Sequence, residues 1–179
     1  MTGGFSLNGA HCSEYCISVR RIGRPMKPEK RVTKQRIPGR HGTYDITDNT
    51  FENRLISVDC TVNDGGSEAL PGKLNAISSW VNHGGALEFD SEPGRFYQAE
   101  AWSDMALDET LFISEFTIVF ECYPLAQSAP HQLDVPISQT GQDISIDTVG
   151  SFETPCIIQI KNTGSAPITN IILEYRKEV

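Results

Sequence analysis

Alternation at every second position marks the strands of this chain. Ile56, Val58, Cys60 and Val62 face one way while Ser57, Asp59 and Thr61 face the other. Phe112, Phe116, Ile118, Phe120 and Cys122 alternate in the same way with Ile113, Glu115, Thr117, Val119 and Glu121. A period of two sets one row of side chains against a core and the other against water. Tyr15, Ile17 and Val19 predict a shorter strand, and residues 32–37, 87–89 and 96–102 add three more. The period changes once, where Leu70, Leu74, Ile77, Trp80 and Val81 recur at three- and four-residue spacing along one helical face. Pro71 is tolerated in a first helical turn, and Gly84-Gly85 stands where a helix stops. So short a helix is marginal alone, so its stripe is expected to pack on a sheet.

The breakers divide these elements. Pro25 and Pro28 make residues 20–30 an exposed connection or arm. Pro38-Gly39 and Gly42 combine a fixed φ with a permissive one at a sharp reversal. Residues 45–53 read as a polar loop, and Asn63-Asp64-Gly65-Gly66-Ser67 and residues 90–94 as turns. Pro124, Pro130 and Pro136 punctuate a linker. The organisation predicted is a mainly β domain with one α-helix over residues 1–124, a Pro-rich linker over 125–136, and a second β segment over 137–179 with strand-like runs at 144–149, 156–160 and 168–175. That last segment is under half the ~100 residues of a complete β-sandwich, so it is read as the start of one.

Composition narrows the class. Apolar residues at 39% and charged residues at 21% describe a globular chain rather than a disordered one. No apolar run approaches the ~20 residues of a membrane span, and residues 1–6 lack the basic and apolar regions of a secretory signal. The five cysteines are an odd number without framework spacing, with Cys60 and Cys122 on apolar strand faces. Reduced thiols acting as small hydrophobes are therefore expected rather than a disulfide scaffold. The net charge of −8 is uneven: residues 1–40 carry +7 and residues 41–179 carry −15. A basic third invites a nucleic-acid reading, but no aromatic residues interleave with Arg20 to Arg40 to stack on bases.

Reactive constellations are weak. On a strand Cys12 and Cys16 would lie ~13 Å apart, too far to share an ion with His11. Gly66 to Lys73 has the wrong spacing for a phosphate loop, and Leu74 stands where Ser or Thr is required. His41 with Asp45 near Tyr44, or Asp90 with Glu92, could serve acid–base chemistry, but carboxylates in polar turns are usually only solvated. No nucleophile-elbow or zinc-protease string occurs. No enzyme activity, cofactor or metal is expected. The alternative of another class is a carbohydrate-binding β-sandwich stacking sugars on Trp80, Trp102, Tyr97 and Phe96.

One ordered set of strings says more. It comprises Asn8-Gly9, Ser13-Glu14-Tyr15, Pro28-Glu29-Lys30-Arg31, Ile37-Pro38-Gly39-Arg40-His41-Gly42-Thr43-Tyr44-Asp45, and Phe51-Glu52-Asn53-Arg54. The helix ending in Trp80, Gly85-Ala86-Leu87-Glu88-Phe89-Asp90, and Phe116-Thr117-Ile118-Val119-Phe120-Glu121-Cys122-Tyr123-Pro124 complete it. In that order, over residues 5–127, the chain resembles the phage distal tail protein family. The resemblance implies a tail-tube-like β-sandwich with a helix and a homohexameric ring at the distal end of the tail tube. It further implies partners in the tube and in the tail-tip or baseplate receptor-binding proteins, with DNA passing the lumen without specific binding. It places the protein in the virion, at the tail tip, after assembly in the host bacterial cytoplasm. Residues 148–155 and 162–166 resemble the opening of the family's galectin-like second domain, most of which lies beyond Val179.

A ring of identical subunits needs a heterologous contact that closes on itself. Arg31, Lys34, Arg36 and Arg40 are the expected basic side of that contact, and Asp45, Asp48 and Glu52 on the adjacent copy the acidic side. Pro38, Gly39, Gly42 and Tyr44 are the expected turn motif. The acidic remainder of the chain would keep a lumen wall from holding DNA phosphates.

Overall fold

The computed structural model describes residues 3–63, 70–102, 107–109, 113–146, 150–152, 155–174 and 176. Its elements are β1 (Phe5–Leu7), β2 (Ala10–His11), a 3-10 turn (Cys12–Tyr15), β3 (Ile17–Gly23), β4 (Lys30–Gln35), β5 (Tyr44–Phe51), β6 (Arg54–Asn63), α1 (Leu70–Asn82), β7 (Gly85–Phe89), β8 (Arg95–Ala101), β9 (Leu107–Glu109), β10 (Ile113–Cys122) and β11 (Gln127–Ser128).

The two most regular alternations become partners. β6 and β10 pair antiparallel along their full length, from Asn63 opposite Ile113 to Arg54 opposite Cys122. Around them the sheet runs β2-β1-β7-β8-β10-β6-β3, with β11 on β8 and β9 on β10. β9 takes the first part of β10's second edge and β8 takes the end of it. The sheet folds back so that its halves share a core. Phe5 of β1 meets Phe120 of β10 edge-on at 5.8 Å. The inward rows, Ile56, Val58, Cys60 and Val62 facing Phe116, Ile118, Phe120 and Cys122, are buried. This is a mainly β sandwich with one α-helix, antiparallel and not a closed barrel.

Helix α1 carries the predicted stripe. Ile77 and Val81 are buried, and Leu70 and Trp80 pack on the core. Trp80 stacks between Phe5 at 5.6 Å and Tyr15 at 4.3 Å. The helix stops at the glycines: Gly84 adopts φ +56 and donates its N–H to the Val81 carbonyl, the left-handed cap that Gly tolerates.

Asn8-Gly9 connects β1 to β2 as a two-residue hairpin turn with φ +52 and +83, the mirror-image turn these residues favour. Asn8 also clamps the helix end. Its Nδ2 donates to the Gly84 carbonyl and its Oδ1 accepts from the Ala86 N–H.

The strand predicted around Tyr15 begins later. His11 caps a 3-10 turn instead, accepting from the Ser13 N–H while the Glu14 carboxylate accepts from the His11 N–H. Cys16 then turns left-handed at φ +57. A register shift between Val19 and Arg21 keeps both Arg20 and Arg21 outward while Ile22 still packs on the core. Cys12 and Cys16 thus sit on a turn rather than four apart along a strand. One thiol is buried and the other exposed.

Residues 45–53, read as a loop, are mostly strand: β5 pairs with β4 as a separate two-stranded sheet. The sequence hides this because Asp48-Asn49-Thr50 forms an irregularity inside the strand, with Asn49 at φ +62. Five of the β5 side chains are polar, so no apolar row is left to count.

The chain divides into two compact units, Met1–Gln132 and Leu133–Val179. β11 therefore lies within the stretch read as linker. In the second unit the runs at 144–149, 156–160 and 168–175 form no strand ladder among the described residues, and Ile157 and Ile172 are exposed. Alternating apolar residues make a strand only where another edge offers hydrogen bonds. Residues 64–67 and Phe112 lie outside the described residues.

Cys60 and Cys122 are buried free thiols, as their alternation predicted. Burial pushes both up to about 12, which suppresses the nucleophilic thiolate. Alkylation at mildly alkaline pH, followed by peptide mass spectrometry, is expected to label Cys16 and Cys156 rapidly. Cys12, Cys60 and Cys122 should react only after denaturation.

Candidate functional site

The feature that the core does not explain is the β4–β5 hairpin. None of its strands joins the large sheet, and Lys30 to Thr50 are all exposed. Yet it carries large apolar side chains into water: Val32 is 38% exposed, Ile37 42%, Tyr44 47% and Ile46 55%. The register puts Ile46 and Tyr44 on one face with Thr33 and Gln35, and Val32 on the other with Lys34, Asp45 and Thr47.

Its tip is shaped by the turn residues. The Arg40 N–H donates to the Ile37 carbonyl at 3.2 Å across Pro38-Gly39, with Gly39 at φ +80. That is the sign pattern of a type II turn, with Pro leading and Gly at the position needing positive φ. Gly42 repeats the left-handed conformation at φ +88, and Arg40 Nη1 donates to the Tyr44 hydroxyl at 2.6 Å.

The charged residues singled out in the sequence come together inside this one hairpin. Arg31 and Glu52 form a forked pair with contacts of 3.0 and 3.3 Å. Lys34 lies opposite Asp45. Thr50 donates its hydroxyl and its N–H to Asp48, holding that carboxyl below the usual carboxylate range. Among the described residues, no carboxylate stands within ion-pair distance of Lys34 or Arg36. From Lys30 to Phe51 the hairpin keeps a net charge of +3.

A strap of chain fixes the hairpin's base to the sandwich, and sequence reasoning missed it. Arg24 makes a two-pronged pair with Glu92 at 2.7 and 2.9 Å, its guanidinium 5.6 Å from the Phe89 ring. Arg54, at the buried end of β6, lies 5.4 Å over the Tyr97 ring and reaches the Pro25 carbonyl at 3.5 Å. Pro28 is buried, and the Glu52 N–H donates to the Glu29 carbonyl at 2.8 Å. The one available signal was Arg54 itself, a cation on the inward parity of an apolar strand.

Other candidates separate. His11 Nε2 lies 3.4 Å from Asp90 and 4.0 Å from Cys12 Sγ. A relay needs base and orienter on different ring nitrogens, whereas here one nitrogen faces both. Burial also raises the Cys12 thiol. Among the described residues no three His, Cys, Asp or Glu side chains converge for a metal, and no helix is long and apolar enough to cross a membrane. Of the four aromatics considered for sugar stacking, Trp80 is sandwiched between rings and Tyr97 is buried, while Trp102 is exposed.

The sandwich thus presents a self-paired, basic and partly apolar hairpin on a pinned strap. The chain belongs to the phage tail protein RIFT-related domain family, whose model matches residues 10–122. It is accordingly a structural protein of the phage tail, and hence of the virion. The SPP1 Dit protein, whose crystal structure is described as a paradigm of the hub adsorption apparatus in phages infecting Gram-positive hosts, has the same fold. The TM-score is 0.62 at 19% identity, over 72% of this chain and 53% of that one. This chain thus spans about half the length of that Dit. Among curated proteins no match is found.

Proposed function

We propose that this protein closes head-to-tail into a homohexameric ring at the distal end of a phage tail tube. There it joins the tube to the tail-tip or baseplate receptor-binding components. The observation that carries the proposal is the exposed hairpin. Isolated two-stranded hairpins are marginal in water, and this one exposes Val32, Ile37, Tyr44 and Ile46, which a neighbouring subunit would cover. Arg31, Lys34, Arg36, Arg40, Asp45, Asp48 and Glu52 lie on or beside it and belong to the same contact element. Apolar contact supplies the affinity, and the net positive charge sets register and rate of encounter. A lumen in such a ring passes DNA without holding it, which the −15 carried by residues 41–179 favours. Assembly takes place in the host bacterial cytoplasm. Residues 137–179 begin the second, galectin-like domain.

Native mass spectrometry at micromolar concentration is expected to find a particle of six times the 19.8 kDa chain. Negative-stain images should show it as a ring with an open axis. A monomer at every concentration, with no ring in the images, overturns the proposal.

A further inference from the structure

We infer that the neighbour's surface receiving the hairpin is the outward face of β8, β10 and β6 around Glu100 and Glu121; this rests on the ring reading above. The acids on or beside the hairpin are poor candidates for its partner, because Glu52 is committed to Arg31, Asp48 to Thr50, and Asp45 lies across the ladder from Lys34 of the same chain. An acceptor must therefore lie elsewhere, and it must be acidic with an apolar rim.

The sandwich has such a face. Glu121 lies directly opposite Glu100 across β10 and β8, and directly opposite Leu55 across β10 and β6. Like charges facing each other across strands repel, and a sheet ordinarily avoids that pairing. Asn53 Nδ2 donates to Glu121 at 3.1 Å, while Glu100 has no hydrogen-bond or ion-pair partner among the described residues. Arg31 lines the same hollow of about 470 Å³, but its guanidinium is already held by Glu52. The hollow so keeps uncompensated negative charge.

Around it stand exposed apolar side chains on the same outward rows: Leu55 at 47%, Trp102 at 61% and Tyr123 at 60%. The hairpin is the complement on both counts. Among the described residues, Lys34 and Arg36 have no carboxylate within ion-pair distance. Val32 on the Lys34 face and Ile37 at the tip stand exposed, with Tyr44 and Ile46 exposed on the other face. A second copy of this chain is thus the occupant. The hairpin's base borders the hollow of its own chain through Arg31 and Phe51, but Lys34, Arg36 and the tip are not among the hollow's lining. The two contact surfaces are therefore distinct, as a contact that closes a ring requires.

Two measurements test the acceptor. Carbodiimide cross-linking of mixed light and nitrogen-15-labelled chains is expected to yield intermolecular peptides joining Lys34 to Glu100 or Glu121. Reversing the acceptor with E100K/E121K, or the donor with K34E/R36E, should weaken assembly on the order of 10- to 100-fold. Mixing the two variants should restore it, since each then meets its complement. Circular dichroism checks the folding of both, since Lys34, Arg36 and Glu100 are exposed and Glu121 is half-buried. Wild-type chains that never associate overturn the ring reading itself. Wild-type rings with unweakened E100K/E121K assembly, and no cross-link to either glutamate, leave the ring standing and overturn the acceptor.

Discussion

Excision of residues 32–50, with Arg31 joined to Phe51 through a short Gly-Ser link, is expected to leave the sandwich folded and abolish self-association. Lys30 and Phe51 are cross-strand partners, so the cut ends lie only ~5 Å apart. The hairpin contributes no strand to the large sheet. Stability should therefore stay within about 1 kcal/mol, as for surface changes remote from the core. Chemical denaturation reads the first effect and native mass the second. A milder variant with the hairpin intact, Tyr44→Ser with Ile46→Ser, removes two exposed apolar side chains and should weaken assembly in the same direction. A particle of unchanged mass in both variants would show that the contact lies elsewhere.

The second large effect belongs to the fold. Gly85→Ala is expected to destabilise the chain by on the order of 3 kcal/mol or more. Gly85 sits at φ +124, a conformation L side chains rarely adopt, and a β-carbon there would collide with the Asn8 carboxamide. That carboxamide holds the Gly84 carbonyl and the Ala86 N–H, so the substitution strains the backbone and displaces the clamp together. Asn8→Ala, which loses the clamp and leaves an alanine at φ +52 in the turn, should cost less, about 1–3 kcal/mol. Equal unfolding midpoints for G85A and wild type in urea would contradict this account of the helix-to-strand junction.

These two sites differ in how plainly the sequence announces them. The rows of β6 and β10 could be read because one face of a strand is buried and the other wet, so burial writes itself into every second residue. The stripe of α1 and its glycine stop could be read for the same local reason. So could Pro38-Gly39, whose φ demands few other residues meet. The likeness to tail proteins, read from ordered strings, agrees with the family match over residues 10–122.

What local pattern could not carry was decided by partners distant in the chain. β5 is a strand because β4 lies beside it, though Asp48-Asn49-Thr50 reads as a loop. Arg54 is acceptable inside because Tyr97 and the Pro25 carbonyl, from two other segments, converge on it. Glu100 and Glu121 become one acidic locus only when β8 and β10 pair. Sequence by itself determined the mainly β class, the helix, the buried thiols and the Pro38-Gly39 turn, because each depends on neighbours within a few residues, while the sandwich was implied by the likeness to tail proteins. Only the tertiary structure decided that the basic segment and its nearby acids form one outward hairpin, and which face of the sheet is left uncompensated, because those facts depend on strand pairing.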